Sequence, residues 1–104
     1  MLVMKFGGTS VTKPDSVAAI NTLVQRELNR QPILVVSALS GITDLLVKLS
    51  HTILDYEQED LFEQIFMKHY LWIKNIFAVN MDLQISVFKL VHDYLDHIRE
   101  LLHS

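Results

Sequence analysis

The first half of the chain alternates short apolar runs with helical periodicity. Residues 1–6 form an apolar run broken only by Lys5, which predicts a strand that ends at a glycine pair. Apolar residues then recur every three or four positions, as on one face of a helix, at Val17, Ile20, Val24 and Leu28. Pro32 ends this helix, and the apolar residues 33–36 predict a second strand that is covered on both faces. A further helical face follows a turn at residues 37–41, so the pattern predicts strand, helix, strand, helix with parallel strands.

The first half of the sequence contains N-terminal capping signals for both predicted helices. Thr12 is the predicted N-cap of the crossover helix, with Pro14 in the first turn and Asp15 at a capping-box position. Ser40 or Gly41 is predicted to lie near the N-terminus of the next helix, because small polar residues and glycine favour that position. Its apolar face follows at Ile42, Leu45, Leu46 and Leu49.

Residues 52–104 change to a purely helical pattern and predict two antiparallel helices joined by a short turn. Residues 60–63 match a capping box, and an apolar stripe continues to about Val79. Asn80 offers a second cap, whereas the acidic residues 56–60 predict an exposed loop. No third strand follows, and a doubly covered sheet of two strands is not a complete domain.

Composition narrows the class of protein. The chain has 104 residues, 50% of them hydrophobic, and no cysteine, which excludes a disordered tail, a disulfide framework and a thiolate metal site. Residues 1–51 carry five Lys and Arg against three Asp and Glu, a net of +2, and residues 52–104 carry four against nine, a net of −5. We therefore expect a cytoplasmic protein with no nucleic-acid or membrane partner, an anionic ligand in its first half, and self-association through uncovered apolar faces.

Two turns carry candidate chemistry. Lys5 precedes the glycine pair at the end of the first strand, and such a turn favours anions, although it is also consistent with a plain tight turn and a surface lysine. Ser37 ends the second strand, and Ser40 and Thr43 lie at the following helix start, where capping alone is the competing interpretation. Two anion-favouring turns at the same edge of a parallel sheet predict a ligand site there.

These residues resemble a known family. Residues 3–11 (VMKFGGTSV) resemble the opening motif of aspartate kinases, and residues 35–46 (VVSALSGITDLL) resemble their second motif. The resemblance implies an α/β/α sandwich, the amino-acid kinase fold, which transfers the γ-phosphoryl group of ATP to the β-carboxylate of L-aspartate with Mg²⁺. It implies that Lys5 is catalytic and that Thr43 contacts L-aspartate. It also implies an ATP site formed by Lys5, Phe6, Gly7, Gly8, Ser10 and Ser37.

The same resemblance predicts how the chain is organised. We expect an N-terminal fragment of an amino-acid kinase domain, with a βαβα part in residues 1–51 and a helical excursion in residues 52–104. Such a fragment is not expected to phosphorylate aspartate alone. Two alternatives remain open: a non-catalytic helical assembly module, and another enzyme of this fold with a different acceptor. His92 and His97 have metal-compatible spacing to acidic neighbours, but a solvated helix flank explains them better, so we predict no metal ligands.

Overall fold

A computed structural model describes residues 1–103 of the chain. The chain divides into two compact units, residues 1–43 and the residues from Asp44 onward. The elements in order are β1 (Leu2–Phe6), α1 (Gly8–Thr12), α2 (Pro14–Arg26), a 3₁₀ turn (Leu28–Arg30), β2 (Pro32–Val36), α3 (Ile42–Ser50), α4 (Asp55–Ile76) and α5 (Met81–Leu102). The predicted mixed α/β class, with a helical second half, is confirmed.

The sheet consists of β1 and β2 in parallel, with Leu2 opposite Pro32 and Phe6 opposite Val36. Parallel pairing was predicted from the crossover pattern. Full coverage of β2 was predicted as well, and this was wrong: its four residues after Pro32 are 45–61% exposed. Two strands with one crossover helix contain too little chain to cover both faces of a sheet.

The crossover differs from the predicted one at its start. The chain forms the short helix α1 directly after Gly7, where a turn was predicted. Lys13, in an extended conformation, is the N-cap of α2, and Pro14 occupies the first helical position. Thr12 was predicted as this cap and is not, because its hydroxyl group is engaged by Gly8 and Ser40. The chain enters β2 through Gln31, which has a left-handed backbone conformation with φ of 51°.

The second unit is built on the antiparallel pair α4 and α5. The Arg99 guanidinium donates to the Glu59 carboxylate at 3.0 and 3.2 Å, so the end of α5 lies beside the start of α4. Nearer the connecting turn, the rings of Tyr70 and Phe88 stack with centroids 5.0 Å apart. The buried apolar residues of this unit are Leu45, Leu49, Phe62, Ile65, Ile73 and Leu95. The predicted helical hairpin is therefore confirmed.

The start of α4 was predicted wrongly. The helix begins at Asp55, so residues 56–60 are its first turns and not a loop, and Asp60 is not a cap. Acidic side chains favour the positive end of the helix dipole, which explains why this run is helical. The amide of Gln58 is buried and donates to the Thr52 carbonyl oxygen at 2.8 Å, which ties the first turn to the preceding segment.

No helix within residues 1–103 combines the length and the apolar character needed to cross a membrane.

The N-cap of α5 provides a test of this description. The Asn80 side-chain oxygen accepts from the Leu83 amide at 3.1 Å, as the second cap predicted from the sequence. Asn80→Ala should lower the free energy of unfolding by about 1 kcal/mol, because one amide at the helix start loses its acceptor. Urea titration measures the change. Asn75→Ala, at an exposed position in the last turn of α4, is the control and should change it by less than about 0.5 kcal/mol. Equal effects of the two substitutions would contradict the cap.

Candidate functional site

The two predicted turns meet at one edge of the sheet. The Ser37 amide donates to the Phe6 carbonyl oxygen at 3.1 Å, which extends the strand pairing one residue beyond β2. Gly8 then approaches the second turn closely. A Cβ atom at Gly8 would lie 3.2 Å from the Ala38 carbonyl oxygen and 3.4 Å from the Ser37 hydroxyl oxygen. Only glycine fits this approach without movement of the second turn.

Thr12 connects the same two turns through its side chain. Its hydroxyl group donates to the Gly8 carbonyl oxygen at 2.5 Å and accepts from the Ser40 amide at 2.9 Å. The hydroxyl oxygens of Thr12 and Ser40 are 3.3 Å apart. Residues that are 28 positions apart in the sequence are thereby held together.

The first turn has backbone amides at the edge of the sheet that make no hydrogen bond within α1. The earliest hydrogen bond of α1 runs from the Val11 amide to the Gly7 carbonyl oxygen at 3.1 Å. The amides of Gly8, Thr9 and Ser10 precede it and have no acceptor within the helix. Gly7 itself is extended, with φ of −77° and ψ of 175°, and a Cβ atom there would meet nothing within 4 Å. The glycine pair that was predicted as an anion-favouring turn is therefore the start of a helix, and the space beside Gly7 is open.

The predicted site residues of the first turn lie as follows. Lys5 is exposed near the end of β1, on the face that also carries Val3. Phe6 is half-buried and contributes its carbonyl oxygen to Ser37. Ser10 is half-buried within α1.

The second turn holds the other two predicted residues. The Ser37 hydroxyl group is exposed and donates to the Ala38 carbonyl oxygen at 3.0 Å. Thr43 is exposed at the second position of α3. The hydrogen bonds that join the turns include Phe6 and Ser37, and they do not include Lys5 or Thr43.

Sequence reasoning missed the role of Thr12 and Ser40, which were predicted only as helix caps. The available signal was that the sequence near each turn contains further hydroxyl residues that were not predicted to belong to the site. Capping rules use neighbours a few positions away and cannot indicate a partner 28 residues away.

The histidines of α5 form surface ion pairs. His92 Nδ1 is 3.4 Å from Asp96 Oδ2, with 63% and 46% of the side chains exposed. His97 Nδ1 lies 4.0 Å from the Glu100 carboxylate. Across residues 1–103, no group of three or more His, Asp or Glu side chains is arranged to hold a metal ion.

The described surface of the helical unit contains open grooves. One, of about 730 Å³, is lined by four carboxylates and two phenylalanines, and Arg99 pairs with two of those carboxylates. Another, of about 810 Å³, lies between the end of α3 and the start of α4. Neither lining contains a residue of the two turns.

Comparison with known proteins adds independent information. The model of the amino acid kinase family matches residues 1–95. The chain is 42% identical to an aspartokinase of Rickettsia bellii over 55 residues, which is 51% of this chain and 14% of that protein. It is 31% identical to an aspartokinase of Chlamydia pneumoniae over 97 residues, which is 93% of this chain and 21% of that protein.

A third similar protein has a different description. A Haemophilus influenzae protein named "Putative inactive aspartokinase 3" is 41% identical over 59 residues, covering 57% of this chain and 48% of that protein. The matched part of the chain therefore spans from about one seventh to about half of the length of these three relatives.

The two glycines of the first turn should respond differently to substitution. Gly8→Ala should lower the free energy of unfolding by about 1–3 kcal/mol, because the new methyl group presses on the Ala38 carbonyl oxygen. Gly7→Ala is the matched control. It should leave stability unchanged or raise it by up to about 1 kcal/mol, because its conformation suits alanine and its surroundings are open. Thermal or urea unfolding measures both, and a Gly7→Ala variant that is the less stable of the two would contradict the geometry.

Proposed function

The chain belongs to the amino acid kinase family, and we propose that it supplies the ATP phosphate site of an aspartate kinase. The proposal rests on one observation: hydrogen bonds hold the two turns together at the carboxyl edge of the parallel strands. Ligands of open α/β sheets bind at such edges. The similar proteins named aspartokinase support L-aspartate as the acceptor.

Each residue of the site then has a distinct task. Lys5 brings a positive charge to the terminal phosphates, and the first amides of α1 donate to phosphate oxygens. Phe6 and Ser10 hold the turn that presents these amides, and Gly7 leaves space for the phosphate chain. The Ser37 hydroxyl group faces the same edge from the second turn.

The proposed reaction is an in-line phosphoryl transfer. A β-carboxylate oxygen of L-aspartate, positioned with the help of Thr43, forms a bond to the γ-phosphorus. The bond from that phosphorus to the bridging oxygen breaks, and its electron pair leaves with ADP, so that the products are 4-phospho-L-aspartate and ADP. The protein takes part in little covalent chemistry during such a transfer, and most of the catalysis comes from positioning and charge stabilisation. Fixed amides and Lys5 suit that task.

Within residues 1–103, no group of three or more carboxylate or histidine side chains is arranged to hold Mg²⁺. The acidic residues of the first unit are Asp15, in the first turn of α2, and Glu27, which pairs with Arg30 at 3.2 Å. Asp44, at the start of α3, is the nearest carboxylate in sequence to the second turn. A single carboxylate leaves most of the octahedral coordination of Mg²⁺ to other groups. We therefore assign no metal ligand to this chain, and the ion would arrive bound to the ATP phosphates.

A helical assembly module is the second candidate, and one observation favours it. Helix α5 exposes apolar side chains at spacings of seven, four and seven residues, namely Leu83, Leu90, Tyr94 and Leu101, which are 45–65% exposed. This spacing matches the seam by which helices pair. Self-association is expected of both candidates, so phosphate binding distinguishes them: an assembly module predicts no tripolyphosphate site that depends on Lys5.

Phosphate binding tests the leading proposal directly. The 104-residue chain should bind tripolyphosphate at low ionic strength, and Lys5→Ala should weaken binding about tenfold, since one charge-assisted contact is lost. Isothermal titration calorimetry measures the affinity. Lys13→Ala removes an exposed lysine at the N-cap of α2 and is the matched control, expected to change the affinity less than about twofold. Equal losses in the two variants would indicate general electrostatic attraction in place of a site.

The isolated chain should not catalyse the transfer. Carboxylate recognition favours an arginine fork, but Arg26 lies at the end of α2 and Arg30 is engaged by Glu27. An assay with ATP, Mg²⁺ and L-aspartate, coupled to ADP release, measures turnover, and related carboxylates in place of aspartate test for a different acceptor. Turnover by this chain that disappears in Lys5→Ala would show that the catalytic site is complete here.

A further inference from the structure

We propose that Thr12 is a positioning residue that sets the separation of the two phosphate-binding turns. The inference rests on the proposed function of those turns and adds a residue to which no role in the reaction has been given so far. Thr12 ends α1, is half-buried, and contacts a carbonyl group of the first turn and an amide of the second.

The hydroxyl group of Thr12 is engaged within the protein both as donor and as acceptor. Its single proton is donated to the Gly8 carbonyl oxygen, and its oxygen accepts from the Ser40 amide at 2.9 Å and lies 3.3 Å from the Ser40 hydroxyl oxygen. Its proposed role in the reaction is exerted through the turns that it joins.

The second turn needs such a connection because it lies beyond the strand pairing. The last backbone bond between the strands ends at Ser37, and Gly41 has a left-handed conformation with φ of 84°. Between these residues, the Thr12 contact fixes the backbone at Ser40. Gly8 packs against Ala38 in the same region, so a shift of the second turn would open this packing as well.

Thr22 provides an internal comparison. Its hydroxyl group donates to the Ala18 carbonyl oxygen at 3.2 Å, four positions earlier in α2, as threonines within helices commonly do. Thr12 makes the equivalent bond to Gly8 and in addition reaches Ser40. The difference between the two threonines is therefore the contact between the turns.

The separation of the turns matters most for a ligand that touches both. A triphosphate chain can contact each turn through a different phosphate group, whereas orthophosphate brings a single group that depends less on the relative position of the turns. Fixing two contact points in advance raises the affinity of a ligand that bridges them and leaves the affinity of a single-point ligand nearly unchanged. Thr12 should thus affect the binding of the longer ligand selectively.

The test uses the 104-residue chain with Thr12→Val, which keeps the shape but removes the hydroxyl group, and Thr12→Ser, which keeps the hydroxyl group. Thr22→Val is the control that loses only a bond within its helix. Titration calorimetry at low ionic strength measures tripolyphosphate and orthophosphate binding. We expect Thr12→Val to weaken the binding of tripolyphosphate about tenfold and that of orthophosphate less than twofold. Thr12→Ser should restore the affinity for tripolyphosphate, and Thr22→Val should change neither affinity.

Hydrogen exchange of the Ser40 amide gives a second readout that needs no variant. The contact with Thr12 predicts slow exchange at Ser40 in the unmodified chain, slowed further by tripolyphosphate and not by orthophosphate. Unprotected exchange at Ser40 would overturn the proposal even if Thr12→Val failed to fold.

The outcomes separate this proposal from the proposed function. If Thr12→Val weakens the binding of both ligands equally, or leaves tripolyphosphate binding unchanged, the role of Thr12 is overturned but the proposed phosphate site is not. Failure of the unmodified chain to bind either ligand would overturn the phosphate site itself, and the role of Thr12 with it.

Discussion

The parallel pairing of β1 with β2 is the constraint on which the rest of the first unit depends. Because Phe6 lies opposite Val36, the chain leaves both strands at the same edge, and the Ser37 amide can reach the Phe6 carbonyl oxygen. Antiparallel strands would have placed the two turns at opposite ends. The crossover through α2 is therefore what brings two turns about thirty positions apart to the same edge of the sheet.

The three glycines of the chain serve three different physical needs. Gly41 has a positive φ of 84°, which side chains disfavour, and it directs the chain from the second turn into α3. Gly8 has an ordinary helical position but no room for a methyl group beside Ala38. Neither reason applies to Gly7, whose backbone is extended and whose surroundings are open. Under the proposed function, the phosphate chain would pass through the open space beside Gly7.

Sequence patterns predicted the features that depend on local periodicity, and they failed where partners are distant. The strands, the crossover and the Asn80 cap follow from apolar spacing and short-range hydrogen bonding, and they were predicted. Thr12 satisfies every local rule for an N-cap, yet Ser40 competes for its hydroxyl group, and only the folded chain places the two together. The start of α4 was missed for another reason: its N-cap is Leu54, which has no side-chain capping bond, and the buried Gln58 contact with Thr52 is not visible in local spacing.

The family match includes residues of both units. The family match runs to residue 95, which includes all of α4 and most of α5, and the likeness to the Chlamydia pneumoniae aspartokinase covers 93% of the chain. The constraints on the two units nevertheless differ. A helix pair keeps its packing as long as the apolar spacing is kept, whereas the turns depend on particular atoms at Gly8, Thr12 and Ser40. The residues of the two turns should therefore tolerate fewer substitutions than those of α4 and α5.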